Sequence, residues 1–192
     1  MIAIFGGSFD PPHLGHKNVL TEFLKFYANP KKIILIPNFL SPFKKNKIAT
    51  RKQVLDMLEI FSEEFLIPIE ISTIEIDKEE KSYTIDTLQS LKKIYPEEQL
   101  LFLLGEDHIR TFSNWKDSDK ILELAQLVFF RRFESEPLDF PAELLKSLFL
   151  QNEVIEISSS EIRNDFDKNS HFIEKSILTY ILKNQIYSEK NN

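Results

Sequence analysis

"GGSFDPPHLGH" occupies residues 6–16 and directly follows the apolar run "IAIF", so this stretch decides how the N-terminal part of the chain folds. Gly6 and Gly7 have no Cβ atom, which lets a ligand come close to the backbone. The two prolines that follow fix φ and hold the connection extended. Apolar residues then recur at helical spacing from Val19 to Tyr27. The pattern predicts a strand, a constrained loop and a helix, in that order.

His13 and His16 lie at or near the start of this predicted helix, where unpaired N–H groups and a partial positive charge attract anions. Three interpretations are open: a plain strand–helix turn with surface histidines, a metal site and a phosphate site. Glycines, prolines and histidines coincide at one strand end, which disfavours a plain turn. The chain has only four histidines and no evident third ligand, which disfavours a metal site. We therefore favour phosphate binding.

Short apolar runs alternate with amphipathic stretches along the rest of the chain. The predicted strands are residues 2–5, 32–37, 66–76, 100–104, 126–131 and 153–157. The predicted helices are residues 14–27, 50–65, 83–94, 118–124, 141–148, 159–166 and 172–184. Almost continuously apolar runs such as "KIILIP" are typical of parallel strands covered on both faces. This alternation predicts an α/β fold, a Rossmann-like doubly wound parallel sheet flanked by helices, with ligands at the carboxyl ends of its strands.

Composition limits the class of protein. A length of 192 residues predicts a single domain over residues 1–192, with a terminal subregion at about 157–187. The absence of cysteine excludes disulfides and thiolate metal sites. A net charge of −6 argues against a nucleic-acid partner. No apolar run is long enough to span a bilayer and no signal peptide is evident, so we expect a cytoplasmic protein without a membrane partner.

A second stretch with anion-binding chemistry is "ISSSEIR", which follows a predicted strand. Ser158 and Glu161 have the spacing of a helix capping box. Ser159, Ser160 and Arg163 add hydroxyl groups and a guanidinium, which together suit a phosphate. Two such sites at the strand ends of one parallel sheet suggest a polyphosphate between them.

The third candidate is the lysine-rich stretch "LSPFKKNK", residues 40–47. A solvated loop is the simpler interpretation of most of these lysines. One lysine could also reach a phosphate, and Lys44 is the first after the constraint of Pro42.

These stretches resemble a known family. "GGSFDPPHLGH" resembles the (H/T)xGH signature of the adenylyltransferase branch of nucleotidyltransferases, and "ISSSEIR" resembles its second signature, ISSTxIR. "SYTIDTL" (82–88) and "LLGEDHIRTFSNWKD" (103–117) are similar to segments of bacterial nicotinate-nucleotide adenylyltransferases. The resemblance runs over essentially the whole chain. The chain departs from the family with "SPFKK" in place of PPHK, which leaves Lys44 and Lys45 as alternatives, with no arginine before "SYT", and with GED in place of GAD.

The resemblance implies a nucleotidyltransferase-type sheet and transfer of AMP from ATP to nicotinate mononucleotide, which gives deamido-NAD and pyrophosphate in NAD biosynthesis. Such a transfer needs no protein nucleophile, only in-line positioning and positive charge. Mg²⁺ is the implied cofactor. ATP phosphates and water would carry it, so no metal ligand is expected from the protein.

The resemblance also implies the site residues. The catalytic residues would be His16, His13, Lys44 and Arg163. The residues at ATP would be Gly6, Gly7, Phe9, His13, His16, Gly105, Asp107, Ser159, Ser160 and Arg163. The residues at the acceptor would be Ser8, Lys44, Tyr83, Thr84, Trp115 and Lys116. By chemistry alone Trp115 could equally be a half-buried core aromatic; the resemblance favours stacking on the pyridine ring.

Two alternatives stay open at this point. One is an adenylyltransferase for nicotinamide mononucleotide or another phosphate acceptor. The other is a nucleotide-binding regulatory module without turnover, which the intact His13, His16 and Arg163 disfavour. The expected partners are ATP and nicotinate mononucleotide, and a homo-oligomer is left open.

Overall fold

A computed structural model describes residues 1–27, 29–38, 49–78, 82–132 and 141–187. Six parallel strands form one sheet in the order β3-β2-β1-β4-β5-β6. The strands are β1 (Ile2–Gly7), β2 (Lys32–Pro37), β3 (Ile69–Ile71), β4 (Leu100–Gly105), β5 (Ala125–Phe130) and β6 (Leu148–Leu150). The α-helices are α1 (Leu14–Phe26), α2 (Arg51–Ser62), α3 (Thr84–Ile94), α4 (Ser118–Leu124), α5 (Ser159–Asn164), α6 (Phe166–Asn169) and α7 (Lys175–Lys183). Short 3₁₀ helices cover Glu106–Asn114, Ala142–Leu144 and Ser170–Phe172.

Helices cover both faces of the sheet, because successive side chains of each strand point to opposite sides. Ala3 and Phe5 belong to the core cluster that includes α1, α2 and α7. Ile2 and Ile4 belong to the second cluster, which includes α3 and α4. The four central strands bury nearly all of their residues, as their apolar runs predict. The predicted Rossmann-like doubly wound parallel sheet is confirmed.

The position of β1 places the site. It lies between β2 and β4, with Phe5 beside Leu35 on one side and Leu103 on the other. The chain leaves β1 toward β2 and later returns to start β4, so the direction of winding reverses between β1 and β4. In open parallel sheets a crevice for ligands forms at such a reversal, beyond the carboxyl ends of the strands.

The predicted elements before residue 132 are present, although β3 is much shorter than the strand predicted for 66–76. Two later predictions are wrong. The helix predicted for 141–148 is only a short 3₁₀ turn followed by β6, and 153–157 is not a strand. The edge beside β5 is taken by β6, where "LFL" pairs with Val128–Phe130. The backbone at Glu153 instead accepts hydrogen bonds from the side chains of Asn18 and Asn152.

The predicted C-terminal subregion contributes to the same core as α1 and α2, through Ile177 and Ile181 of α7. The prediction of one domain over 1–192 stays a prediction. Within the described ranges, no helix is long and apolar enough to cross a membrane.

Candidate active site

A cavity of about 620 Å³ opens at the reversal point between β1 and β4. Most of the predicted site residues line it: Gly6, Gly7, Ser8, His13, His16, Tyr83, Thr84, Gly105, Asp107, Trp115, Lys116 and Ser159. Phe9, Ser160 and Arg163 do not line it, and Lys44 falls outside the described residues. We call the part around His13 and His16 the histidine end, and the part around Tyr83, Trp115 and Lys116 the tryptophan end. The fold thus joins stretches that lie far apart in sequence.

The two histidines are in ring contact at the start of α1, with their planes tilted by 39°. His13 is the residue that caps the helix and is only 3% exposed, and its ring centroid lies 3.8 Å from that of His16. The backbone N–H of His13 donates to Nδ1 of His16 at 3.2 Å. Because Nδ1 accepts this bond, the neutral ring of His16 carries its proton on Nε2. The helix start therefore holds His16 as a donor with a defined tautomer.

Gly15 and Phe9 pack against the two histidine rings. A Cβ atom on Gly15 would lie 3.0 Å from Cε1 and Nδ1 of His13, so the buried imidazole packs directly on the glycine backbone. Phe9 adopts a positive φ of 47°, and its fully buried ring lies 4.8 Å from that of His16. The ring of Phe9 therefore packs against the ring of His16. The sequence analysis expected Phe9 at ATP and did not predict this contact.

The second signature is bonded to the first. Ser159 Oγ donates to the carbonyl of Pro11 at 2.9 Å. Arg163 Nη1 donates to the carbonyl of Asp10 at 2.6 Å, and Nη2 donates to Ser160 Oγ at 3.2 Å. The two stretches that the sequence predicts to bind anions are thus neighbours. A guanidinium has five N–H donors, so Arg163 can hold the loop and still offer donors to a phosphate.

The helix cap predicted within the second signature is present. Ser158 Oγ accepts from the backbone N–H of Glu161 at 3.2 Å and donates to its carboxylate at 2.6 Å. This cap starts α5 at Ser159 and so sets the direction in which Ser159, Ser160 and Arg163 face the first loop.

Gly105 ends β4 where the side chains of Asp107 and Arg132 lie close to its backbone. A Cβ atom there would lie 2.2 Å from Asp107 Oδ1 and 2.5 Å from Arg132 Cδ. Asp107 in turn pairs with Arg132, with 3.2 Å between Oδ2 and Nη1. The glycine therefore allows the carboxylate and the arginine to close over the end of the strand.

Sequence reasoning missed two buried polar residues that bond to the backbone just after β5. Glu106 is 3% exposed, and its carboxylate accepts from the backbone N–H of Arg132 at 2.8 Å. Asn152 accepts from the backbone N–H of Arg131 at 2.7 Å and donates to its carbonyl at 3.0 Å. Together they hold the chain as it leaves β5. The only available signal was a polar residue directly after each apolar strand.

Trp115 is partly buried at the opposite end of the cavity. Its ring lies 5.6 Å from Phe112 and meets His108 edge-on at 5.3 Å. Burial lowers the pKa of His108, and the nearby Arg132 lowers it further, against the opposing effect of Asp107. His108, which the sequence analysis did not single out, is therefore a neutral imidazole at neutral pH and supports one edge of the indole.

Lys116 and Tyr83 meet beside Trp115. Lys116 Nζ lies 3.3 Å from both carboxylate oxygens of Asp86 and 4.7 Å above the ring of Tyr83. Tyr83 precedes α3, whose first residue is Thr84. The contacts thus join the start of α3 to the segment after Trp115, and the first N–H groups of α3 lie at this end of the cavity.

The chain is similar over nearly its whole length to proteins of one family. The model of the cytidylyltransferase-like family matches residues 4–165. The chain is 41% identical over 194 residues to a Leptospira interrogans protein named "Probable nicotinate-nucleotide adenylyltransferase", covering 98% of each chain. A Leptospira borgpetersenii protein of the same name is 39% identical over 193 residues, again with 98% of each chain covered.

A solved structure shares the fold. The Plasmodium falciparum nicotinic acid mononucleotide adenylyltransferase complexed with NaAD superposes with a TM-score of 0.77, covering 97% of this chain and 96% of that one. The two sequences are 22% identical, so this likeness concerns the architecture alone.

Proposed function

Because the chain belongs to the cytidylyltransferase-like family, and within it to the nicotinate-nucleotide adenylyltransferases, we propose that the cleft is where it transfers AMP to nicotinate mononucleotide. The enzyme uses ATP as donor and forms deamido-NAD and pyrophosphate. One observation carries the assignment of the site. The loop "GGSFDPPHLGH" and the segment "ISSSEIR" are bonded to each other beside a cavity whose far end holds Trp115.

The chemistry is a displacement at phosphorus. An oxygen of the acceptor's 5′-phosphate attacks the α-phosphorus of ATP, a new P–O bond forms, and the bond to pyrophosphate breaks. The attacking phosphate is already an anion, so no protein base has to remove a proton. The site must instead align the two phosphates and stabilise the charge that gathers between them.

The histidine end suits this task. We assign Nε2–H of His16 as a donor to a non-bridging oxygen of the α-phosphate, with His13 packed beside it. Lys44, Ser159, Ser160 and Arg163 are proposed for the β and γ phosphates. Gly6, Gly7 and Ser8 bring the backbone close to the phosphates. The support is the fixed tautomer of His16 and the position of the second signature against the loop.

The middle of the cavity suits the adenosine. Gly105 ends β4 at the reversal point and Asp107 follows it in the 3₁₀ helix, where parallel sheets of this kind bind nucleotides. The closely packed Asp107–Arg132 pair gives this part of the wall both a carboxylate acceptor and guanidinium donors.

The tryptophan end suits the pyridine ring and its carboxylate. Trp115 offers an aromatic face, and main-chain N–H groups near Thr84 and Lys116 offer donors. Charge-assisted bonds to a carboxylate are about twice as strong as bonds to a neutral amide. The NH₂ group of a nicotinamide amide would also point a hydrogen-bond donor at these main-chain N–H donors and leave them unpaired. We therefore propose a strong preference for nicotinate over nicotinamide mononucleotide.

Mg²⁺ is proposed as the cofactor, carried by the ATP phosphates. No cluster of three or more histidine, aspartate or glutamate residues in the described ranges could hold a metal ion. When bound, Mg²⁺ would offset the negative charge of the polyphosphate. The cytoplasmic location and the oligomeric state stay predictions from the sequence.

Pyrophosphate release measured with ATP and a panel of acceptors tests the function. We expect turnover with nicotinate mononucleotide and a kcat/KM at least about a hundredfold lower with nicotinamide mononucleotide. Comparable values for the two would overturn the preference. Binding of both substrates without any pyrophosphate release would instead indicate the regulatory module.

A further inference from the structure

Asp10 is a buried carboxylate that joins four parts of the chain. It is 0% exposed and lies in the loop between β1 and α1, three positions before His13. Its Oδ1 accepts from the backbone N–H of Ala49, at 3.3 Å, and from the hydroxyl of Tyr187. Its own carbonyl accepts from Arg163, whose Nη1 also lies 3.8 Å from Oδ2. The loop is therefore held from several directions through one residue.

Tyr187 reaches this carboxylate from the far end of the chain, 177 positions away. The segment after α7 turns back through positive φ angles of 52° at Gln185 and 64° at Tyr187. Ile186 N–H donates to the carbonyl of Ile181 at 3.0 Å, and the Ile186 side chain is buried in the core. The tail is thus seated against the molecule, and the ring of Tyr187 is only 8% exposed.

The hydroxyl of Tyr187 is fixed as a donor. Burial, with the neighbouring Asp10 carboxylate, raises its pKa far above the ordinary value, so it stays protonated at any pH the fold meets. Burying a carboxylate is costly unless donors surround it. Tyr187 and Ala49 donate to the carboxylate, whereas Arg163 donates to the backbone carbonyl of Asp10 and places its charge 3.8 Å from Oδ2.

We propose that Tyr187 is a positioning residue for AMP transfer: through Asp10 it fixes the loop that places His13 and His16. The inference rests on the proposed function. Removing the hydroxyl leaves one buried lone pair of Asp10 without its donor and lets the carboxylate, and with it the loop, shift. A displacement of about 1 Å in positioning groups can lower turnover by two orders of magnitude.

Tyr180, which lies in α7 shortly before Tyr187, provides a control. Tyr180 of α7 also donates to an aspartate, at 2.6 Å to Asp56 Oδ2, and burial beside this carboxylate raises the pKa of Tyr180 to about 12. Asp56 lies on α2 and has no contact with the loop of residues 8–13 among the bonds described. Tyr180→Phe therefore removes a bond of the same kind without touching the site.

The test compares Tyr187→Phe with Tyr180→Phe by pyrophosphate release and thermal unfolding. We expect kcat to fall between about tenfold and a hundredfold in Tyr187→Phe only, with KM for both substrates within about threefold of the starting enzyme. Comparable losses of melting temperature with unchanged kcat in both variants would overturn the proposal. Wild-type turnover of nicotinate mononucleotide, measured alongside, separates this outcome from failure of the proposed function.

Asp10→Asn provides a second arm. If Tyr187 acts through Asp10, Tyr187→Phe should change kcat by less than about twofold in the Asp10→Asn background, because coupled residues are non-additive. Independent losses that multiply would contradict this route. If Asp10→Asn does not fold, the comparison of the two tyrosine variants decides by itself.

Discussion

The histidine end and the tryptophan end of the cleft are held by different kinds of contact. At the histidine end the bonds are buried or partly buried and join the first loop to α5 and to the segment after α7. At the tryptophan end, Lys116 and Asp86 are 46% and 39% exposed and 3.3 Å apart. Buried polar networks specify one geometry, whereas exposed ion pairs contribute little. The difference indicates that the loop carrying His13 and His16 is held in one geometry, whereas the contact between α3 and the segment after Trp115 is held more weakly.

Removal of divalent metal should have the largest effect on turnover. It should act at the histidine end of the cleft and leave the tryptophan end unchanged. With excess chelator we expect pyrophosphate release to fall to background, because the side chains alone cannot offset the polyphosphate charge. Trp115 is the only tryptophan, so its fluorescence reports the other end, and the affinity for nicotinate mononucleotide should stay unchanged. Full turnover in metal-free buffer would contradict this. Metal retained by the protein before any nucleotide is added would favour a metal site at the histidines.

His16→Ala should lower kcat by a factor on the order of 10²–10³, since it removes a donor to the charge that develops in the transition state. His171→Ala is the control, because His171 is exposed and does not line the cavity. Circular dichroism checks that both variants fold. A folded His16→Ala enzyme within a few-fold of the starting kcat would remove His16 from the mechanism.

Trp115→Ala should sharpen the comparison of the two ends, because it should weaken binding of nicotinate mononucleotide and leave binding of ATP unchanged. Stacking on an aromatic ring contributes about 1–3 kcal/mol per base, so KM for nicotinate mononucleotide should rise by one to two orders of magnitude. KM for ATP should stay near its starting value, and Trp115→Phe should recover most of the loss. Equal losses for both substrates with a lower melting temperature would mean that Trp115 is a core residue.

Lys116→Ala should have the smallest effect. Its exposed ion pair with Asp86 is worth at most about 1 kcal/mol, so we expect KM for the acceptor to rise less than about fivefold with kcat unchanged. Lys120→Ala, which removes the exposed pair with Asp117, should change neither constant. A tenfold fall in kcat for Lys116→Ala would break the comparison, because it would place a surface cation in the chemistry.

Sequence patterns predicted the parts of the protein that local chemistry determines. The glycines, prolines and helical spacing after "IAIF" predicted β1, the loop and α1 almost to the residue. The run "EVIEI" is rich in the β-branched residues that favour a strand, but nothing in the sequence shows that "LFL" already occupies the edge beside β5. The sheet order that decides this point is a property of the whole chain.

The site residues also fall into those that local sequence patterns indicate and those that depend on contacts across the chain. His13, His16, Ser159 and Trp115 lie in motifs or stand out by residue type, and in the structure they line one cavity. Glu106, Asn152 and Asp10 act through buried bonds to residues far away in sequence, which no local pattern records. The contacts of ATP and of the acceptor with each residue stay predictions.

The bond between Tyr187 and Asp10 also has a reciprocal consequence. If the docked tail favours the loop geometry that binds nucleotide, then bound nucleotide must favour the docked tail by the same factor. A carboxypeptidase that trims the chain from its end should therefore slow down near Tyr187 when ATP and nicotinate mononucleotide are present. Occupancy of the cleft would in this way lengthen the time for which the segment around Tyr187 survives digestion.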